Sequence, residues 1–68
     1  MTVELNGRPV ELPDGATVAD AVAAAGSGDE PRGVAVAVDG EVVPKAEWAS
    51  HPLTEGAGVE VLRAVQGG

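Results

Sequence analysis

The side chains able to do chemistry in this chain are few. There is no cysteine, and the one histidine, His51, follows Ser50. Without thiols, disulfides, thiolate metal sites and thiol catalysis are excluded. His51 has no partners at a usual metal-ligand spacing, so no metal site and no catalytic residue is expected. Ser50 and His51 leave a short segment in different directions, and His51 reads as a solvated loop residue. What remains is the closing run Val61-Leu62-Arg63-Ala64-Val65-Gln66-Gly67-Gly68. Glycine loses more conformational freedom on ordering than any other residue, so two at a terminus stay loose until a binding site holds them. Without Cβ atoms they fit a channel too narrow for other residues and leave the carboxylate of Gly68 unshielded. Alone, Gly-Gly is a weak signal, more often a ragged end than a site. Its weight comes from the strand that leads into it.

Composition narrows the partners. With 68 residues and a net charge of −7, the four basic residues Arg8, Arg32, Lys45 and Arg63 are too scattered for nucleic acid or an anionic membrane. Basic docking surfaces suit it better. A domain this small buries only about 60% of its unfolded surface, which leaves no room for an enclosed catalytic cleft. No apolar run approaches the roughly 20 residues of a membrane span, and no signal segment opens the chain, so a cytoplasmic location is expected.

The elements that must position the tail follow from pattern. Asn6-Gly7 is the turn of a hairpin between residues 2–5 and 8–12 that sets Val3 against Val10 and Met1 against Leu12. Pro9 cannot donate to a ladder, which makes the second strand an edge. Thr17 caps a helix with Asp20 three residues on, and Val18, Ala21, Val22 and Ala25 form its apolar stripe before Gly26 ends it. Residues 27–32 read as a polar loop. Residues 33–38 alternate valine with alanine, as in a strand buried on one face and tightly covered on the other. Asp39-Gly40 then places Val36 opposite Val43, and Pro44 stops a short fourth strand. Lys45 to Ser50 reads as one helical turn in which Trp48, the only aromatic residue, plugs the open end of the core.

The last strand spans residues 59–65. One helix covers one face of a sheet, so the fold class is α+β. The economical plan is a single-domain β-grasp (ubiquitin-like) roll over residues 1–68. It has a mixed sheet of four to five strands, one main helix and a short helical turn, with the last strand between the first and third and parallel to the first. Residues 65–68 then form a flexible tail ending in Gly-Gly; four unpaired residues reach roughly 13–14 Å at 3.3–3.6 Å each. Val59 and Val61 must face the core, which turns Glu60 and Leu62 outward. An exposed leucine just before the tail is where a partner that threads the tail would grip, with Glu60 and Arg63 setting orientation by charge.

The chain resembles the ThiS family, the small ubiquitin-like sulfur carriers of thiamine biosynthesis. The resemblance rests on the Asn6-Gly7 hairpin, the helix start Gly15-Ala16-Thr17-Val18, the run Val43-Pro44-Lys45-Ala46-Glu47-Trp48-Ala49, the last strand and Gly67-Gly68. Two positions depart from it. Gln66 stands where an alanine often precedes the diglycine, and Ala57-Gly58 replaces a more usual acidic turn residue. The resemblance implies a carrier acted on by enzymes, itself not an enzyme and binding no cofactor. A ubiquitin-activating-like adenylyltransferase would use ATP and Mg²⁺ to adenylate the Gly68 carboxylate, with Gly67, Gln66 and Val65 as the recognised tail. A persulfide sulfur donor would convert the adenylate to a thiocarboxylate, and thiazole synthase would take the sulfur.

Three alternatives share the fold, because fold does not fix function. One is a sulfur carrier for molybdopterin or another pathway. Another is a ubiquitin-like modifier that ends on lysine side chains. The third is a binding module such as the TGS-type β-grasp domains, which begin with a similar Leu12-Pro13-Asp14-Gly15 stretch.

Overall fold

The computed structural model describes residues 1–26 and 33–63. The polar loop expected at residues 27–32 and the tail at 64–68 lie outside them. Strands β1 (Thr2–Leu5) and β2 (Arg8–Glu11) form the opening hairpin, in the register that pairs Val3 with Val10. The Met1 ammonium donates to the Leu12 carbonyl at 2.7 Å, and the Leu12 amide returns a bond to the Met1 carbonyl at 2.8 Å. Asn6 takes the left-handed conformation with φ 52°, one that a short polar side chain tolerates and a type I′ turn needs.

Helix α1 (Val18–Ala24) starts where expected. Asp20 accepts from the Thr17 backbone amide at 2.8 Å and from the Thr17 hydroxyl at 3.3 Å. Val18, Ala21 and Val22 are buried, and Gly26 closes the last turn with φ +82°. After the helix come β3 (Val34–Val38), β4 (Glu41–Val43), a 3-10 turn (Lys45–Ser50) and β5 (Gly58–Arg63). The sheet order is β2-β1-β5-β3-β4, with β5 parallel to β1 and antiparallel to β3. This is the mixed five-stranded β-grasp, with its last strand in the middle.

One core serves the whole unit. Val3, Leu5, Val18, Ala21, Val22, Val36, Val59 and Val61 meet Trp48 and Leu53 in it. Trp48 is buried, and its indole Nε1–H donates to the Val43 carbonyl at 2.9 Å, so the one aromatic ring closes the core with its polar atom satisfied.

Two expectations are corrected. Among the described residues nothing covers the alanine face of β3: Ala35 is exposed and Ala37 only half-buried, because α1 packs on the valine side. His51 is not a solvated loop residue either. Its carbonyl accepts from the Val18 amide at 3.0 Å, and Leu53 N–H donates to the Ala16 carbonyl at 2.9 Å, which ties this segment to the helix entry. The His51 side chain is half-buried, and its Nδ1 is a buried atom without a hydrogen-bond partner.

Candidate functional site

Everything that leads to the tail is carried by β5. Its inward residues Val59 and Val61 are almost fully buried, at 1% and 7% exposure. Strand alternation then turns Glu60 and Leu62 to the opposite face, where Glu60 is exposed and Leu62 keeps 61% of its surface in water. Arg63 is the last residue of β5, in register with Val34. Val65, Gln66, Gly67 and Gly68, the residues assigned to tail recognition and modification, lie outside the described residues.

Side chains from hairpin turns hold β5 at its start and again at Val61. At the start, Asp39 (φ 51°) uses Oδ1 to accept the Gly58 amide at 2.9 Å, while its own amide donates to the Gly58 carbonyl at 2.7 Å. Further along, the Asn6 carboxamide bonds both backbone groups of Val61. Oδ1 accepts from Val61 N–H at 2.8 Å, and Nδ2 donates to the Val61 carbonyl at 3.2 Å.

The open face of the sheet extends Leu62 into a strip. Leu62 pairs with Ala35, and Ala37 pairs with Glu60 on one side and Val42 on the other. Val42 is 71% exposed, so two bulky apolar side chains flank a floor of alanine methyls. The exposed carboxylates Glu4 and Glu60 share that face, on the neighbouring strands β1 and β5. A basic-rimmed apolar surface is the complement of such a strip. Sequence reasoning found Leu62 but not Val42, although the signal was available. With Val43 paired inward against Val36, Val42 has to point out. The role of Asn6 beyond its turn was not found, and spacing alone carries no sign of it.

The other reactive side chains do not assemble. His51 lines an open groove of about 320 Å³ with Asp39, Glu41 and Glu47, but among the described residues no three metal-ligating side chains are placed to hold an ion. Ser50 Oγ donates to the Glu47 carbonyl at 3.3 Å, which caps the 3-10 turn. Among the described residues no helix is long and apolar enough to cross a membrane.

The description that matches this chain is the ThiS family, over residues 3–68. The chain belongs to the ThiS family. Its structure superimposes on a crystal structure of the thiamine biosynthesis protein ThiS from Geobacter metallireducens with a TM-score of 0.80 at 24% identity, covering 100% of both chains. A solution structure of a thiamine biosynthesis protein from the same organism gives 0.79 at 26% identity, over 100% of this chain and 88% of that one. A different likeness is closer in sequence. Threonine–tRNA ligases of two Thermus thermophilus strains are 46% identical over 63 residues, which are 91% of this chain but 9% of the ligase. The chain thus spans about a tenth of the length of these relatives.

Proposed function

We propose that this ThiS-family protein is a sulfur carrier whose working group is the carboxylate of Gly68. The observation that carries the proposal is the extent of the family match, which runs through residue 68 and so takes in Gly67-Gly68. In this reading the protein is a co-substrate of its enzymes. A carboxylate is a poor electrophile at neutral pH because its negative charge repels a nucleophile. A ubiquitin-activating-like adenylyltransferase would attach AMP from ATP, releasing pyrophosphate. Its own Mg²⁺ and phosphate-binding residues would supply the positive charge that this acidic chain lacks. The terminal sulfur of a persulfide then attacks the acyl carbon and AMP leaves. Thiol reduction of the acyl disulfide yields the thiocarboxylate, and thiazole synthase receives its sulfur.

The site's geometry supports this division of labour. Leu62, Glu60 and Arg63 stand immediately before the tail on the central strand, so an enzyme gripping the strip from Leu62 to Val42 has Val65, Gln66, Gly67 and Gly68 within a few residues of its grip. Gly67 admits the tail to a narrow channel, and Gly68 carries the reacting carbon.

Intact-mass measurement of the protein isolated from cells tests the reading. Replacement of one carboxylate oxygen by sulfur, located at Gly68 by fragmentation, is the expected result. A second reading is favoured by the ligase likeness: a β-grasp recognition module that carries no sulfur. That module would show no sulfur in the isolated protein and no ATP-dependent adenylation by the partner enzyme.

A further inference from the structure

We propose that Asn6 is a positioning residue that fixes where the carrier tail leaves the sheet, by standing in for a strand that is not there; its functional half rests on the carrier reading above. The need for a stand-in follows from the topology. On its β3 side, β5 is paired as far as Val34 opposite Arg63. On its β1 side the pairing stops at Leu5 opposite Val59, because the chain reverses at Asn6-Gly7. The Asn6 backbone amide makes the last main-chain bond on that side, to the Val59 carbonyl at 2.9 Å. The next groups to be satisfied are the N–H and C=O of Val61, a buried residue of the central strand.

The Asn6 carboxamide meets both. It offers an acceptor to Val61 N–H at 2.8 Å and a donor to the Val61 carbonyl at 3.2 Å, as the next peptide of a continuing β1 would. Two requirements meet at this position. The backbone must be left-handed, which glycine, asparagine and aspartate tolerate, and the side chain must hold a donor and an acceptor on a short stem. Glycine lacks the side chain, ionised aspartate lacks the donor, and glutamine is one methylene longer. Asparagine meets both.

The consequence lies one residue on. Leu62 follows the clamped peptide, and five residues, about 17 Å of extended chain, separate Arg63 from the carboxylate. With the clamp in place, docking point and tether length are fixed relative to the sheet. Without it, β5 is held on one side only beyond Val59, and a partner that grips Leu62 must order that stretch as it binds.

Hydrogen exchange and adenylation kinetics of Asn6→Gly and Asn6→Asp test the proposal. Glycine keeps the turn and aspartate keeps the acceptor. In Asn6→Gly the Val61 amide should exchange at least about tenfold faster, while Val3, Val36 and Leu62, whose peptide faces β3, change by less than about twofold. With the host's own adenylyltransferase followed by ATP–pyrophosphate exchange, KM for the carrier should rise about five- to tenfold with kcat within about twofold, the cost of ordering roughly one residue. Asn6→Asp should fall between. Unchanged Val61 exchange, equal acceleration at Val3 and Val36, or an unchanged KM overturns the proposal. Should the wild-type protein not be adenylated at all, the carrier reading falls, and the exchange pattern still decides whether Asn6 holds the strand.

Discussion

Leu62 is the residue on which the docking argument turns. It is large, apolar and 61% exposed, and its neighbours on the strand, Val61 and the carboxylate of Glu60, face opposite sides of the sheet. Leu62→Glu removes the apolar grip and adds to an already acidic face. Because Leu62 touches solvent rather than core, melting should barely change, while affinity for the adenylyltransferase should fall by more than about 1 kcal/mol, the usual threshold for an important interface contact. Titration of the variant with the partner, alongside a thermal melt, checks both halves. A loss of folding would place Leu62 in the core instead. The diglycine makes a complementary prediction. Gly67→Val or deletion of Gly68 should abolish adenylation and leave the melting temperature where it was, since the core of the described residues closes without residues 64–68. Sulfur still accepted by either variant would exclude the Gly68 carboxylate as its site.

At the scale of elements, local rules carried most of the architecture into the sequence. Asn6-Gly7 and Asp39-Gly40 are turn dipeptides whose first residues have φ 52° and 51°, so both hairpins and their registers were legible. The valines of β5 and the stripe of α1 were legible for the same reason, since their periods match the elements they build. What failed was tertiary. Alternating valine and alanine on β3 does not say whether a second layer covers the alanines, and here none of the described elements does. His51 is drawn inward by a backbone bond to Val18, which no local pattern announces. The Asn6 clamp depends on β5 outrunning β1, a fact of topology. Trp48 plugs the open end of the core, and its fit allows a test. Trp48→Phe removes the donor to the Val43 carbonyl and some buried volume, and should cost about 1–3 kcal/mol. The denaturant midpoint should drop with an unchanged slope, whereas a shallower slope would mean that the 3-10 turn had come away.

For the molecule as a whole, net charge of −7 and one fixed end set the response to pH and salt. The Met1 ammonium donates to Glu11 and Asp14, and its pKa is raised, first by its hydrogen bond to Glu11 and against a desolvation that opposes it. Glu11 is lowered, first by the hydrogen bond from Thr2 and then by the ammonium. A raised ammonium gives stability that is full below its ordinary pKa of 8.0 and fades as pH climbs through the raised value. A lowered carboxylate gives stability that is present above 4.5 and fades as pH falls through the lowered value. The melting temperature should therefore be highest between these limits, and acetylating Met1 should flatten the alkaline limb. The Glu11 carboxylate is exposed, so salt should shrink the effect. The borders of the sheet have a consequence of another kind. β2 carries Pro9, and β4 is three residues long and stops at Pro44, so neither outer strand offers a long row of free amides to a neighbour. Copies of this chain cannot easily zip together side by side into fibrils, however concentrated they become. Contact with another molecule then falls to the broad face of the sheet, where Leu62 and Val42 stand, rather than to its edges.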